Sequence, residues 1–297
     1  MANLRDIRRR IKSVKNTAQI TRAMQLVAAA KMKKAQDQAL AGRDYVLHLT
    51  EMLYDIRKDF VDESHPFFEQ RHAKRELVLV ISTDKGLCGP LNTNLARMIR
   101  SHVAPDADFV TVGRKLRIMC EKLGRNVIAD FTVRDPVPFS QTRPIAKFLS
   151  QQFLDGHCDK VSIVFTGFVN TLRQEARVVT LLPIHGHLHG QEQAYEAIGK
   201  GFSVHERKHE GDRVYTFEPN VAKVLASILP LYVNYEVFQA QVESRASEHS
   251  ARMVAMKAAT DNANKFIKEL SLEYNKLRQG AITSELLEIT TAMKAME

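Results

Sequence analysis

Three stretches hold residues whose types and spacing could do chemistry. The first is STDKGLCG (82–89), which follows an apolar run and precedes a helical pattern. A doubly wound sheet presents backbone N–H groups to phosphate at that position. The stretch fits neither G-x-G-x-x-G nor G-x-x-x-x-G-K-[ST]. Further on, Lys200 follows Gly199, but Gly201 stands where a Ser or Thr would hold magnesium. A structural turn is the simpler reading. No His or acid at a telling position beside Cys88 marks it as an activated nucleophile. The second stretch, HGHLHG (185–190), sets His185, His187 and His189 two apart, on one face if the chain is extended there. Three imidazoles could hold zinc or another transition metal. No carboxylate or thiol follows to complete the site, and the surrounding residues 185–213 read as a polar, irregular loop. The third group is Cys88, Cys120 and Cys158, odd in number, far apart and without a C-x-x-C pair. That pattern suits a reducing compartment and argues against a disulfide framework or a zinc site. No paired carboxylates or triad appear with convincing spacing. The residue chemistry therefore points to an interaction protein more readily than to an enzyme, and to no cofactor and no metal.

Two long helical patterns frame these residues. From about residue 3 to 60 the sequence has no Pro, a single Gly (Gly42), and many Ala, Lys, Arg, Gln and Met, all good helix formers. Small or apolar residues recur at alternating steps of four and three: Ile7, Ile11, Val14, Ala18, Thr21, Gln25, Ala28, Met32, Ala35, Ala39. That is a heptad seam. Its small middle residues invite close approach by a partner helix. From about 220 to the end the same spacing returns at Ala246, His249, Met253, Met256, Thr260, Ala263, Ile267, Leu270, Tyr274, Leu277, Ala281 and Ser284. Pro230 is expected to kink or break that helix. At 1.5 Å per residue the two helices would be roughly 85 and 110 Å long. Neither can bury its stripe alone, so the simplest solution is an antiparallel pairing with the intervening residues in a separate lobe.

Between them the pattern alternates. ELVLVIS (76–82), DFVTVG (108–113), NVIADF (126–131), KVSIVFTGF (160–168) and EARVVTLLPI (175–184) read as strands. LNTNLARMIRSHV (91–103), RKLRIMCEKLG (114–124) and RPIAKFLSQQFLDG (143–156) read as helices, the last with Pro144 in its first turn and Gly156 at its end. Such alternation predicts a mostly parallel sheet, with the last two strands joined as a hairpin. The fold class is therefore α/β: a long antiparallel coiled coil of N- and C-terminal helices plus a central Rossmann-like lobe. The expected regions are 1–62, 75–215 and 218–297.

Charge is unevenly placed. Residues 1–43 carry eleven Lys/Arg against two acids, a surplus of nine that equals the +9 of all 297 residues. A positive rod seeks a negative partner: nucleic acid, an anionic membrane surface or an acidic protein lining. The N-terminus has no apolar signal region, and no apolar run reaches the ~20 residues needed to span a bilayer.

Two segments go beyond fold logic. IRRRIKSVKNTAQITRAMQLVAAAKMKKAQ (7–36) and ASEHSARMVAMKAATDNANKFIKELSLEYNKLRQGAITSELLEI (246–289) closely resemble the terminal helices of the gamma subunit of F-type ATP synthase. STDKGLCG resembles that family's loop after the first central strand, and YTFEP (215–219) the entry to its C-terminal helix. The resemblance implies a rotating, non-catalytic shaft. Its coiled coil would stand in the bore of a ring of alternating alpha and beta subunits, and its lobe would sit with the epsilon subunit on the membrane ring of c subunits. Nucleotide and magnesium would bind on beta and alpha. Position by position, it implies ring contacts at Met24 in ITRAM, Lys31 in AAAK with neighbouring Lys33 and Lys34, Arg278 and Gln279 in NKLRQ, and Thr283 and Glu285 in ITSEL. Tyr215 and Glu218 would lie near epsilon and the rotor ring.

Some features depart from the family pattern. The chain ends TTAMKAME where many relatives have a small apolar tail, HGHLHG and 185–213 match no family motif, and the chloroplast-type insertion with paired cysteines is absent. The missing targeting peptide favours a bacterial protein on the cytoplasmic face of the plasma (inner) membrane, held there through the complex. The rival reading is a nucleic-acid-binding coiled coil that uses the basic helix. The rival's affinity would fall steeply with salt.

Overall fold

The computed structural model describes residues 4–59, 65–71, 74–184, 217–218 and 220–296. The expected loop 185–213, HGHLHG and Tyr215 lie outside them. The described chain divides into two compact units, one of Met1–Val27 with Met253–Glu297, the other Ala28–Arg252. Helix α1 (Leu4–Asp59) and helix α5 (Val221–Met296) contribute to both.

In the first unit the heptad seam is as the spacing predicts. Ile7, Ala18 and Thr21 of α1 are buried, as are Met256, Thr260 and Ala263 of α5. Ile11, Val14, Met24 and Gln25 are half-buried, and so are Met253, Ile267, Leu270 and Tyr274. Thr21 and Thr260 meet at 2.7 Å between hydroxyls. From that contact the buried stripe runs back along α1 and forward along α5, so the helices are antiparallel. The seam ends earlier than its spacing suggests: Leu277 is 38 % exposed, and of the described residues beyond Tyr274 only Ala281 is even half-buried. The reason is length. Counting out from Thr21, α1 begins at Leu4, about level with Leu277, and α5 continues to Met296 without a facing helix.

The second unit holds a five-stranded sheet of order β3-β2-β1-β4-β5. Its strands are β1 (Glu76–Ile81), β2 (Asp108–Val112), β3 (Val127–Phe131), β4 (Lys160–Phe168) and β5 (Gln174–Leu182). The first four are mutually parallel, and β5 returns antiparallel to β4 through the expected hairpin. Helices α2 (Leu91–His102), α3 (Arg114–Lys122) and α4 (Phe139–Leu154) make the connections. On one face Val78, Val80, Phe109 and Val164 pack with Leu95 and Ile99 of α2 and Leu116 of α3. On the other, Leu79, Val110 and Ile163 meet Ile145 and Leu149 of α4, Leu53 of α1, and Leu229 and Val233 of α5. Here too α1 and α5 run antiparallel: the rings of Tyr45 and Tyr235 stack with centroids 4.6 Å apart, while Ala35 and Ala246 share one buried cluster with Phe168.

One proline expectation needs correction. Helix α4 starts at Phe139, not 143, so Pro144 is its sixth residue and not in its first turn. Pro144 forfeits only one backbone bond near the helix start. The buried stripe Thr142, Ile145, Ala146, Leu149 and Phe153 fixes the helix regardless. At Pro230, where a kink or a break is expected, α5 continues without a break. Leu225, Leu229 and Tyr232 anchor the flanking turns in the core. By length and composition alone α5 could cross a bilayer, yet these apolar residues are already committed to packing.

Candidate functional site

The STDKGLCG loop is built as a turn. Ser82 Oγ donates to Gly113 O at 2.9 Å and accepts from Leu116 N at 3.2 Å, which ties the loop to the start of α3. Gly113 sits at φ 99°, and a Cβ there would lie 2.2 Å from Ser82 O, so only glycine fits. Thr83 Oγ1 donates to Lys85 O and accepts from Asn92 Nδ2, both at 2.8 Å. The carbonyls of Lys85 and Gly86 accept from Arg252 Nη2 at 3.3 and 3.2 Å. A phosphate cradle turns N–H groups outward; this loop turns carbonyls onto an arginine of α5.

Cys88 lies in the same turn, buried, with Asn92 Nδ2 3.6 Å from its sulfur. Burial pushes its pKa up, and it does the same for Cys120 and carries Cys158 to about 11. The thiolate is the reactive form, so these three buried thiols are packing residues.

Arg252 belongs to a buried ionic cluster that spacing alone did not single out. Glu248 Oε1 accepts from Arg252 and its Oε2 from Arg245, each at 2.8 Å. Arg245 reaches on to Asp84 Oδ2 at 3.3 Å and Val133 O at 3.0 Å. A turn later, His249 Nε2 donates to Asp135 Oδ2 at 3.1 Å, and Lys31 Nζ donates to the same oxygen at 2.7 Å. The His249 hydrogen bond, with that of Lys31, outweighs burial and holds the Asp135 carboxyl well below the usual carboxylate range. The cluster thus fastens α1, α5, the 82–89 loop and the segment after β3 to one another. Its signal in the sequence was the i, i+3, i+7 spacing of Arg245, Glu248 and Arg252, which exposed helix faces carry just as often.

The residues implied as contacts fall into two groups. In the second unit Lys33 and Lys34 are exposed, Glu218 is exposed just before α5, and Lys31 is held by Asp135. In the first unit Met24 is half-buried, while Arg278, Gln279, Thr283 and Glu285 are exposed on α5. Thr283 Oγ1 donates to Gln279 O at 2.9 Å within the helix. Around these, Ile282, Leu286, Leu287, Ile289 and Met293 are exposed as well. Apolar residues gathered on an exposed helix end are a feature that interaction sites share.

Comparison with known proteins agrees with this geometry. The family model described as ATP synthase matches residues 3–296. The ATP synthase gamma chain of Akkermansia muciniphila is 48% identical over 100% of both chains. That of Opitutus terrae is 45% identical over 99% of both. Among solved structures, the rotor of the Euglena gracilis mitochondrial ATP synthase contains a chain of the same fold, with a TM-score of 0.65 and 21% identity, covering 94% of this chain and 98% of that one. The central stalk and c-ring structure of the Tetrahymena thermophila enzyme gives a TM-score of 0.58 at 24% identity, over 81% and 99%. Identity of this order along the entire length shows that the chain belongs to the ATP synthase gamma chain family.

Proposed function

We propose that the chain is the central rotor shaft of an F-type, proton-translocating ATP synthase. In this reading it is non-catalytic and couples rotation of the membrane c ring to conformational change at the catalytic beta subunits. The regions 1–62 and 218–297 are the shaft, and 75–215 is the lobe that meets epsilon and the c ring near Tyr215 and Glu218. The complex holds the chain at the cytoplasmic face of the bacterial inner membrane.

One observation carries the reading. The last turns of α5 expose Ile282, Leu286, Leu287 and Ile289 beside Arg278, Gln279 and Glu285, beyond the reach of α1. Such a helix end requires a protein lining around it, which the bore of the alpha–beta ring supplies. Lys33 and Lys34 add exposed positive charge, and exposed pairs contribute only ~0–1 kcal/mol each. Contacts that weak can slide as the shaft turns.

The test is co-expression with alpha and beta subunits, followed by ATPase measurement and observation of a marker fixed to the lobe. Assembly into an ATPase with stepwise rotation of the marker is expected. Arg278→Ala with Gln279→Ala should lower ATPase turnover, and charge reversal of Lys33 and Lys34 should alter torque or pumping. A chain that fails to assemble with alpha and beta, and instead binds DNA with steep salt dependence, would overturn the proposal.

A further inference from the structure

Glu243 of α5 is a buried carboxyl with half of its hydrogen-bonding capacity unused. It is 3 % exposed and lies within residues 237–252, every one of which is buried. Its Oε1 accepts from Gln239 Nε2 at 3.3 Å. Its Oε2 is buried without a hydrogen-bond partner, and so are both side-chain polar atoms of Gln241, so the nearby amide does not serve the carboxyl. Among the described residues, the charged groups that bear on it are Arg177 of β5 and Glu236 of α5. Arg177 lies 3.6 Å from Glu175 and its side chain crosses Gly167 of β4, while Glu236 is of like charge. An ionised Glu243 would therefore be a poorly compensated buried charge, whereas the neutral acid is tolerated. Burial accordingly pushes its pKa up to about 7, against the Gln239 hydrogen bond and the attraction of Arg177.

The turns of α5 just beyond Glu243 hold the β4–β5 hairpin. Ser247 Oγ donates to Thr166 O at 3.0 Å, and Ser250 Oγ donates to Thr171 O at 2.8 Å. Ala246 packs in one cluster with Phe168. We propose that Glu243 is a proton-operated clasp: as the neutral acid it lets residues 237–252 lie against the β4–β5 hairpin, and loss of its proton loosens that docking. The clasp is a property of this chain's own packing and goes beyond the shaft reading.

The sign follows from linkage. An unfolded glutamate ionises near 4.5, and the folded one holds its proton up to about 7. Between those limits the folded state binds the extra proton, so stability falls as pH rises across that window and levels off above it. A single proton makes the unfolding constant rise by up to about tenfold per pH unit there.

The test compares the full wild-type chain with Glu243→Gln and Glu243→Met between about pH 5 and about pH 8, by urea unfolding and by amide exchange of 237–252 corrected for intrinsic rates. The wild type should open this segment more readily as pH rises, and both variants should lose that slope. Equal slopes in wild type and variants overturn the clasp. Where a variant does not fold, the wild type decides alone by carbon-13 titration of its glutamate carboxyls. A carboxyl titrating near 7 is expected; all of them in the ordinary range around 4 to 5 overturns the clasp.

Discussion

Helix α5 meets the rest of the chain in two different ways. In its 253–274 stretch, one side is buried at Met256, Thr260 and Ala263, and charged residues such as Lys257, Asp261 and Lys265 stay in water. In its 237–252 stretch, sixteen consecutive residues are buried, among them Gln239, Gln241, Glu243, Arg245, Glu248 and Arg252. One-sided burial writes a period into the sequence, because only every third or fourth residue must be apolar. All-round burial of a polar helix writes none. There, stability rests on whether each buried charge finds its partner. The first stretch should therefore respond to side-chain volume, and the second to the removal of a single partner.

The largest effect is expected from Glu248→Ala. It strips the shared carboxylate from Arg245 and Arg252, whose side chains are 8% and 11% exposed. Breaking a buried pair from one side costs about 3–5 kcal/mol, measured as a lower urea midpoint of the full chain. Glu248→Gln keeps the shape and a carbonyl acceptor and should cost less. A loss no larger than that of an exposed glutamate such as Glu288 would mean that the two stretches obey the same rule.

Next comes Ala18→Leu. Ala18 is a buried small residue at the seam, where the helices approach closely. Overpacking such a site costs about 1–3 kcal/mol. The same substitution at the exposed Ala30 should cost almost nothing, and helix melting followed by circular dichroism distinguishes the two.

The two kinds of burial explain what the sequence disclosed. All ten seam positions from Ile7 to Ala39 are buried or half-buried, because heptad spacing is a local record of a one-sided face. The strands were legible for a similar reason: β1 and β4 are nearly continuous apolar runs, as strands covered on both faces must be. The early end of the seam at Tyr274 was not legible, since it depends on how many residues α1 supplies opposite. Nor was the tie from Lys31 to Asp135, 104 residues apart. A lysine in a basic run looks the same whether it faces solvent or a carboxylate brought in by the fold. The candidate contacts Arg278, Gln279, Thr283 and Glu285 came from family resemblance alone; the structure adds that they are exposed.

The Asp135 contact gives a pH test with the opposite sign to that of Glu243. The folded carboxyl ionises below its ordinary value of 3.8, so its stabilisation is fully present above about that pH and is lost as pH falls below it. Asp135→Asn should flatten this acid limb of the urea midpoint. Lys31→Met should flatten it less, because the lysine is 48% exposed and screened by water. If the acid limb is unchanged in Asp135→Asn, other carboxylates carry it.

The smallest effect concerns Thr21 and Thr260, a place where the seam borrows the polar rule. Both hydroxyls are buried and 2.7 Å apart; each also donates along its own helix, Thr21 to Ala18 O at 3.1 Å and Thr260 to Met256 O at 2.8 Å. Three contacts share two protons, so the contact across the helices is made only by taking a proton from one of the other two. Thr21→Val or Thr260→Val alone should each cost about 1 kcal/mol, the usual net value of a hydrogen bond. The double variant should cost less than the two singles combined, since the second substitution removes a partner already lost. Urea unfolding of the four chains measures the coupling. Strict additivity would mean that the two threonines act as spacers of the right size, and that packing volume alone governs the seam.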